Sequence, residues 1–328
     1  MPSPINGGLA PYISSTTLQQ APTGIDWTSI TPWDDATPAQ TQAEIWNMCA
    51  RATSKVDNYC NQILRATLDV ELLHGPDMRI TSGPGAGGQS ATPYWGLSGF
   101  NSRIILSRWP ILQVQEVQIC PNGLWPRQWT QVPDGFFEPE QPPIGIYGSV
   151  APGGTAQGSQ TILVAPGYIN WQYGRNGWAV KTTYINGWPH AEVDEFTDAG
   201  STTLPVDDTT GWALTNYFGT YTGATGIIKD AGQQEVIQVL SASTTTGPGI
   251  LTLAQPLAYP HQSGIIVTTL PAVIEEACIL FATAEALTRG ATSTTIHDIG
   301  GHSQGTGGDI VGLNTEAELL CAPFRRTV

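Results

Sequence analysis

Charged residues make up only 12% of this 328-residue chain, about half the share usual in globular proteins. Cations are the rarer sign: Lys+Arg number 13 against 27 Asp+Glu, for a formal net charge of −14. Such a balance argues against a protein that grips a nucleic-acid backbone through counterion release. It favours solubility, and it is compatible with a surface that repels DNA. Long apolar runs are missing too. No window approaches the roughly 18 uncharged apolar residues of a membrane span. The opening MPSPINGGLAPYIS has no basic stretch followed by an apolar one, so no secretory leader is expected. Cysteine is sparse: Cys49, Cys60, Cys120, Cys278 and Cys321 show no CxxC spacing. Buried free thiols in a reducing compartment are the expected state.

What the chain does have is 40% hydrophobic residues, 37 Gly and 25 Pro. That is enough to fill a core for one large domain or two ordinary ones, with extensive irregular loops between elements. The most regular stretch is Pro271–Gly290, PAVIEEACILFATAEALTRG. Val273, Ile274, Ala277, Cys278, Phe281, Ala284 and Leu287 recur at helical spacing, and the other side is mostly Ala and Thr. Pro271 suits a first turn, Glu275 and Glu276 the positive end of the dipole, and Gly290 a C′ position. A helix with so little polar surface is expected to be enclosed by the rest of the fold.

Residues 1–37 read as an extended N-terminal arm, rich in Pro, Ser, Thr and Gln, with Trp27 and Trp33 available for docking. Pro38 to about Leu64 predicts an amphipathic helix with Ile45, Cys49, Ala52, Val56, Tyr59 or Cys60, and Ile63 in one stripe. Thr37 or Thr41 would cap it, and Thr41 with Glu44 has capping-box spacing. Short strand candidates follow at 68–73, 103–107, 113–120, 128–132, 145–147, 161–164, 169–173 and 178–185, separated by Gly- and Pro-rich breakers. Beyond Asn186-Gly-Trp-Pro189 the texture changes. Thr-rich candidates at 202–206, 226–229, 235–241, 250–253 and 265–270 have the pattern of a small β-sandwich or barrel. The expected class is therefore α+β: a small helical domain of two long helices and short antiparallel strands, with an inserted all-β sandwich or barrel-like domain. The expected boundaries are 38–191 plus 271–290 for the core domain and 192–270 for the insert. Residues 291–328 read as a flexible segment with a short helix at 315–320, stopped by Pro323 and ending in basic Arg325 and Arg326.

Several motifs invite chemistry. Gly301-His302-Ser303-Gln304-Gly305 matches the G-x-S-x-G nucleophile elbow, which needs a strand before it, a helix after it and a later histidine. The flanking residues are Thr-rich and Gly-rich, and no histidine follows Ser303, so a loop is expected. His297, Asp298 and His302 lack the spacing and helix of H-E-x-x-H. The Gly runs at 83–88 and 305–308 lack the G-K-[ST] ending of a phosphate cradle. Of the 11 tryptophans, Trp125, Trp129, Trp171, Trp178 and Trp188 are spread along strands and turns. Core or interface packing is expected of them rather than sugar stacking. No catalytic, cofactor or metal site is expected, and the chain is not expected to be an enzyme.

Two blocks carry a resemblance. The first runs from Ala52-Thr-Ser-Lys-Val-Asp-Asn-Tyr-Cys60 through Arg103-Ile-Ile-Leu-Ser-Arg-Trp-Pro-Ile111 to Val117. The second joins Val180-Lys-Thr-Thr-Tyr-Ile-Asn-Gly-Trp-Pro189, the helix at Pro271 and Leu319-Leu-Cys-Ala-Pro-Phe-Arg-Arg326. Together they resemble the head-to-tail connector (adaptor) proteins of tailed bacteriophages. The ending departs from the family's L-L-x-P-[FY]-R-R by one residue. The insert is similar to β inserts of some connectors at Gln234–Val239 and Leu251–Leu257. The resemblance implies a structural virion protein of the phage neck, made in the host bacterial cytoplasm. It would form a homo-oligomeric, commonly dodecameric, ring beneath the portal protein and surround the DNA channel through which the genome is ejected. Head-closure (stopper) or tail-completion proteins would be its other partners. The implied portal-docking residues are Leu319, Leu320, Pro323, Phe324, Arg325 and Arg326. The alternative expectation is a carbohydrate- or surface-binding structural protein acting through the β insert.

Overall fold

The computed structural model describes residues 10–30, 36–74, 102–120, 127–139, 160–164, 179–215, 221–289 and 306–326. It is α+β, with antiparallel sheets throughout. Helix α1 spans Ser15–Gln20 and α2 spans Pro38–Cys60. α2 begins as a capping box: Gln40 N–H donates to Thr37 Oγ1 (3.3 Å) and Thr37 N–H to Gln40 Oε1 (2.8 Å). Thr37 rather than Thr41 is therefore the cap, because Pro38 supplies a first turn with no N–H to satisfy. Asn61 ends the helix in the left-handed region (φ 54°), which its short polar side chain tolerates.

A four-stranded sheet follows, built from β1 (Thr67–His74), β7 (Ala179–Asn186), β3 (Ile111–Cys120) and β4 (Thr130–Gln131), in that spatial order. Strands β2 (Ser102–Ile105), β6 (Thr161–Val164) and β5 (Phe137–Pro139) form a second sheet. Ile104, Leu106, Val117, Ile119, Phe137, Ile162, Val180 and Tyr184 belong to one buried cluster drawn from both sheets. The expected strand regions at 145–147 and 169–173 and the Gly-rich run 83–88 lie outside the described residues.

The six-stranded sheet has the order β8 (His190–Glu192), β15 (Ile266–Thr268), β12 (Thr225–Lys229), β13 (Glu235–Ala242), β14 (Gly249–Leu253) and β9 (Thr203–Val206). Its two edges meet. Val193 bridges Val206, Asp194 N–H donates to Pro205 O (3.1 Å) and Asp207 N–H to Glu192 O (3.0 Å). The sheet thus curls into a small barrel, which removes its open edges. A hairpin of β10 (Ala213–Thr215) and β11 (Tyr221–Gly223) branches from it. Buried Trp212 packs so closely that a Cβ on Gly226 would fall 2.7 Å from its ring. His261, fully buried, ties two ends together: its ring nitrogens lie 3.0 Å from Asp230 and 2.8 Å from Glu235.

α3 (Ala272–Thr288) returns from the barrel and α4 (Thr306–Cys321) closes the helical layer. As its composition implied, α3 is largely enclosed, with Ile274, Ala277, Cys278, Phe281, Ala282 and Ala286 buried. Glu285 pairs with Lys55 (3.3 Å) and Arg289 (3.3 Å), and Lys229 of β12 pairs with Glu275 (2.8 Å).

Three expectations need correction. The arm is not extended over 10–30. Tyr12, Ile13, Leu18, Trp27 and Ile30 are buried, too few and too irregularly spaced to show a period. The C-terminal segment is not a flexible piece with a short helix over 306–326. α4 is 16 residues long, its Ala317 and Cys321 are buried, and a third long helix joins the expected two. The barrel also begins at His190, ahead of the expected boundary at 192. Its interior residues Val193, Leu204, Val239 and Leu253 share one contiguous cluster with the helices and arm.

Candidate functional site

The most specific local construction is where the C-terminus meets the first helix. After α4, a 3₁₀ turn at Ala322–Phe324 delivers the Phe324 ring between two indoles. It stacks on Trp109 (centroids 6.3 Å apart, planes at 9°) and meets Trp188 edge-on (5.7 Å, 74°). Trp109 and Trp188 also contact each other at 5.6 Å. Burying Phe324 is worth about 1.5–3 kcal/mol, and each aromatic contact adds about 0.5–1.5 kcal/mol.

Trp188 is placed by the turn that follows β7. Gly187 has φ +91°, and a Cβ there would lie 2.4 Å from the Arg65 carbonyl oxygen. Only glycine fits such a backbone and such a close approach. Gly187 N–H donates to Pro110 O (2.9 Å), Trp188 N–H to Leu64 O (2.8 Å) and Ala66 N–H to Trp188 O (2.7 Å). The backbone of the terminal segment is pinned as well: Arg326 N–H donates to Cys60 O (2.8 Å) and Gln62 Nε2 to Phe324 O (3.0 Å). Arg325 places its guanidinium 5.5 Å above the Tyr59 ring.

The six docking candidates are therefore divided. Phe324 is buried, Leu320 and Arg326 are half-buried, and Leu319 (69% exposed), Pro323 and Arg325 face solvent. The receptor residues Trp109, Tyr59 and Gln62 carried no sequence signal for this role. Trp188 was expected to pack, and does.

On the opposite terminus, Tyr12 fastens the arm. Its hydroxyl donates to Asp57 Oδ1 (2.6 Å) and accepts from Leu64 N–H (2.9 Å) and Arg65 N–H (3.2 Å). His190 is bound on both sides, at 3.0 Å from Pro11 O and 2.9 Å from Thr268 Oγ1. Burial pushes Asp57 up to about 6, against the Tyr12 hydrogen bond. Burial pushes His190 down to about 3, so its imidazole is neutral and donates one proton.

Two sheet faces are left without a partner among the described residues. Leu68, Val70 (60% exposed) and Leu72 line one side of edge strand β1, and Val236, Leu240 and Ile250 protrude from β13 and β14. The other side of β1 is occupied: Glu71 accepts from Ser107 N–H (2.9 Å) and Tyr184 Oη (2.8 Å), and Asp69 pairs with Arg108 (3.1 Å).

Gly301–Gly305, with Ser303 and His302, lies outside the described residues, as do His297, Asp298, Trp125, Trp171 and Trp178. Among the described residues, no group of three or more His, Cys, Asp or Glu side chains is arranged to hold a metal, and no helix is long and apolar enough to cross a membrane. All five cysteines are free and buried. Comparison of the chain with protein-family models, with curated proteins and with solved structures finds no match.

Proposed function

We propose that this chain is a structural protein of a tailed-phage neck, forming a ring beneath the portal that joins head to tail and surrounds the DNA channel. The observation that carries the reading is the pair of apolar faces on different sheets, Leu68/Val70/Leu72 and Val236/Leu240/Ile250, that have no partner among the described residues. A closed ring needs two different surfaces per subunit, joined head to tail. β1 offers an eight-residue edge with no proline to block strand addition. The order of the connector-like blocks supports the same reading, and the surplus of acidic residues suits a channel through which DNA slides rather than sticks. In that setting Leu319, Pro323 and Arg325 are the accessible portal contacts, and Phe324 would have to leave its indole pocket to join them. Localisation in the virion neck, contact with stopper or tail-completion proteins and the absence of catalysis belong to the same proposal.

Mass photometry of the full chain, with and without the portal protein, tests it. A closed ring, or a monomer that becomes one on the portal, is expected, and Ser303→Ala should not change that. A monomer indifferent to the portal overturns the reading. The alternative, a carbohydrate- or surface-binding structural protein acting through the barrel, draws on exposed Phe196 and Tyr259, since aromatic faces stack on sugars. Glycan binding by the full chain that is lost in Tyr259→Ala would favour it. The barrel shares its core with the helices, so the whole chain is the proper sample.

A further inference from the structure

We infer that Cys60 and Cys321 form a redox-responsive thiol pair, which a peroxide oxidises to a disulfide that fastens the end of α4 to the end of α2. The geometry singles out this pair among five cysteines. Cys60 Sγ donates to the Cys321 carbonyl oxygen at 3.8 Å. Both side chains are fully buried in the same cluster. Cys60 O also accepts from Arg326 N–H (2.8 Å), so the backbones on both sides of the pair are already held together. Cys278 belongs to α3. Cys49 sits further back along α2, and Cys120 belongs to β3 in another layer.

The chemistry has a direction. The Cys60 S–H donates to the Cys321 carbonyl oxygen, a bond that favours the protonated thiol at Cys60. Cys321, next to the exposed Ala322 and Pro323, is therefore the sulfur that meets the oxidant first, as its thiolate. Its sulfur takes one oxygen from hydrogen peroxide: an S–O bond forms, the O–O bond breaks, and the departing hydroxide takes a proton to leave as water. The product is a sulfenic acid. The Cys60 sulfur then attacks Cys321 sulfur, the S–O bond breaks, and the hydroxyl leaves as a second water with the Cys60 proton. Sulfur is oxidised, peroxide is reduced, and one S–S bond results. A small oxidant is required because the pair is buried. Exposed Ala322 and Pro323 follow Cys321 directly, so opening of that last turn suffices to admit it.

The sequence makes the test unambiguous, because each cysteine falls in its own tryptic peptide: 1–51, 56–65, 109–127, 230–289 and 290–325. The full-length protein is treated with hydrogen peroxide under native conditions, its remaining thiols are alkylated, and it is digested without reductant. The expected product is 56–65 linked to 290–325, abolished by dithiothreitol, absent from Cys60→Ala and Cys321→Ala and retained in Cys278→Ala. Any other dominant pairing, oxidation of Cys321 with no link to Cys60, or unchanged thiols at peroxide doses that leave the fold intact by circular dichroism would overturn the inference. The map of the unsubstituted protein decides the matter even where an alanine variant fails to fold.

Discussion

Tyr12 and Asp57, 45 positions apart, are joined by a 2.6 Å hydrogen bond that makes the N-terminal segment part of the core. The same hydroxyl accepts two backbone N–H groups at the end of α2. Tyr12→Phe leaves those donors and the Asp57 carboxyl without this partner while keeping the ring. Losing a buried hydrogen-bond partner costs about 1–3 kcal/mol. Urea denaturation should show a loss of that order, with earlier proteolysis of residues 10–30. An unchanged midpoint would mean that the ring alone holds the arm.

Half-buried Glu192 and buried His190 predict opposite responses to pH. Glu192 is raised to about 7 by burial first, then by Asp207 and Asp194. Its contribution to stability is complete below the unperturbed 4.5 and is lost as pH rises through about 7. Glu192→Gln should therefore melt higher than the parent at pH 8, and the gap should close below pH 4.5. His190 is depressed from 6.5 to about 3. Its contribution is present above 6.5 and lost as pH falls toward 3. A His190→Gln variant should show a shallower acid loss than the parent across that interval. Melting curves across these pH values check both signs, and a parallel shift at every pH would refute the assignment.

Two glycines make a matched pair. A Cβ on Gly223 would fall 1.3 Å from the Val239 carbonyl oxygen, so Gly223→Ala cannot be accommodated without separating β11 from β13. Loss of soluble, folded protein is expected. Gly312, inside α4, has nothing within 4 Å of such a Cβ. Gly312→Ala should stabilise by about 0.5–1 kcal/mol through helix propensity and unfolded-state entropy. A higher melting temperature is the expected reading.

The elements most legible in the sequence were those with an uninterrupted period. Ile45, Cys49, Ala52 and Val56 marked α2, and the expected strand at 235–241 appears as Glu235–Ala242. α4 extends well ahead of the expected short helix at 315–320, because Gly307, Gly308 and Gly312 dilute its signal while packing of Ala317 and Cys321 on the other helices overrides propensity there. The packing of the arm has no local signal for a related reason. Tyr12, Ile13 and Leu18 are buried by partners far away in sequence, including Asp57 and His190, which no local window contains. The same applies to the candidate site. The basic ending was visible, but the pocket for Phe324 is assembled from Trp109 and Trp188, whose meeting depends on the strand pairing of β3 with β7.

Val70 offers the most direct test of the ring. It is 60% exposed on β1, and its register partner Thr183 is on the central strand β7. Because the side chain already faces water, Val70→Glu should change stability by no more than about 0.5 kcal/mol. A carboxylate buried in a subunit interface without a partner is far more costly than that. Assembly and folding therefore respond differently to one substitution. Mass photometry should show the variant as a monomer, with or without portal protein, at a melting temperature close to the parent's. A ring that survives Val70→Glu would remove β1 from the interface. A ring that survives it but dissolves on Val236→Glu would place the contact on the barrel.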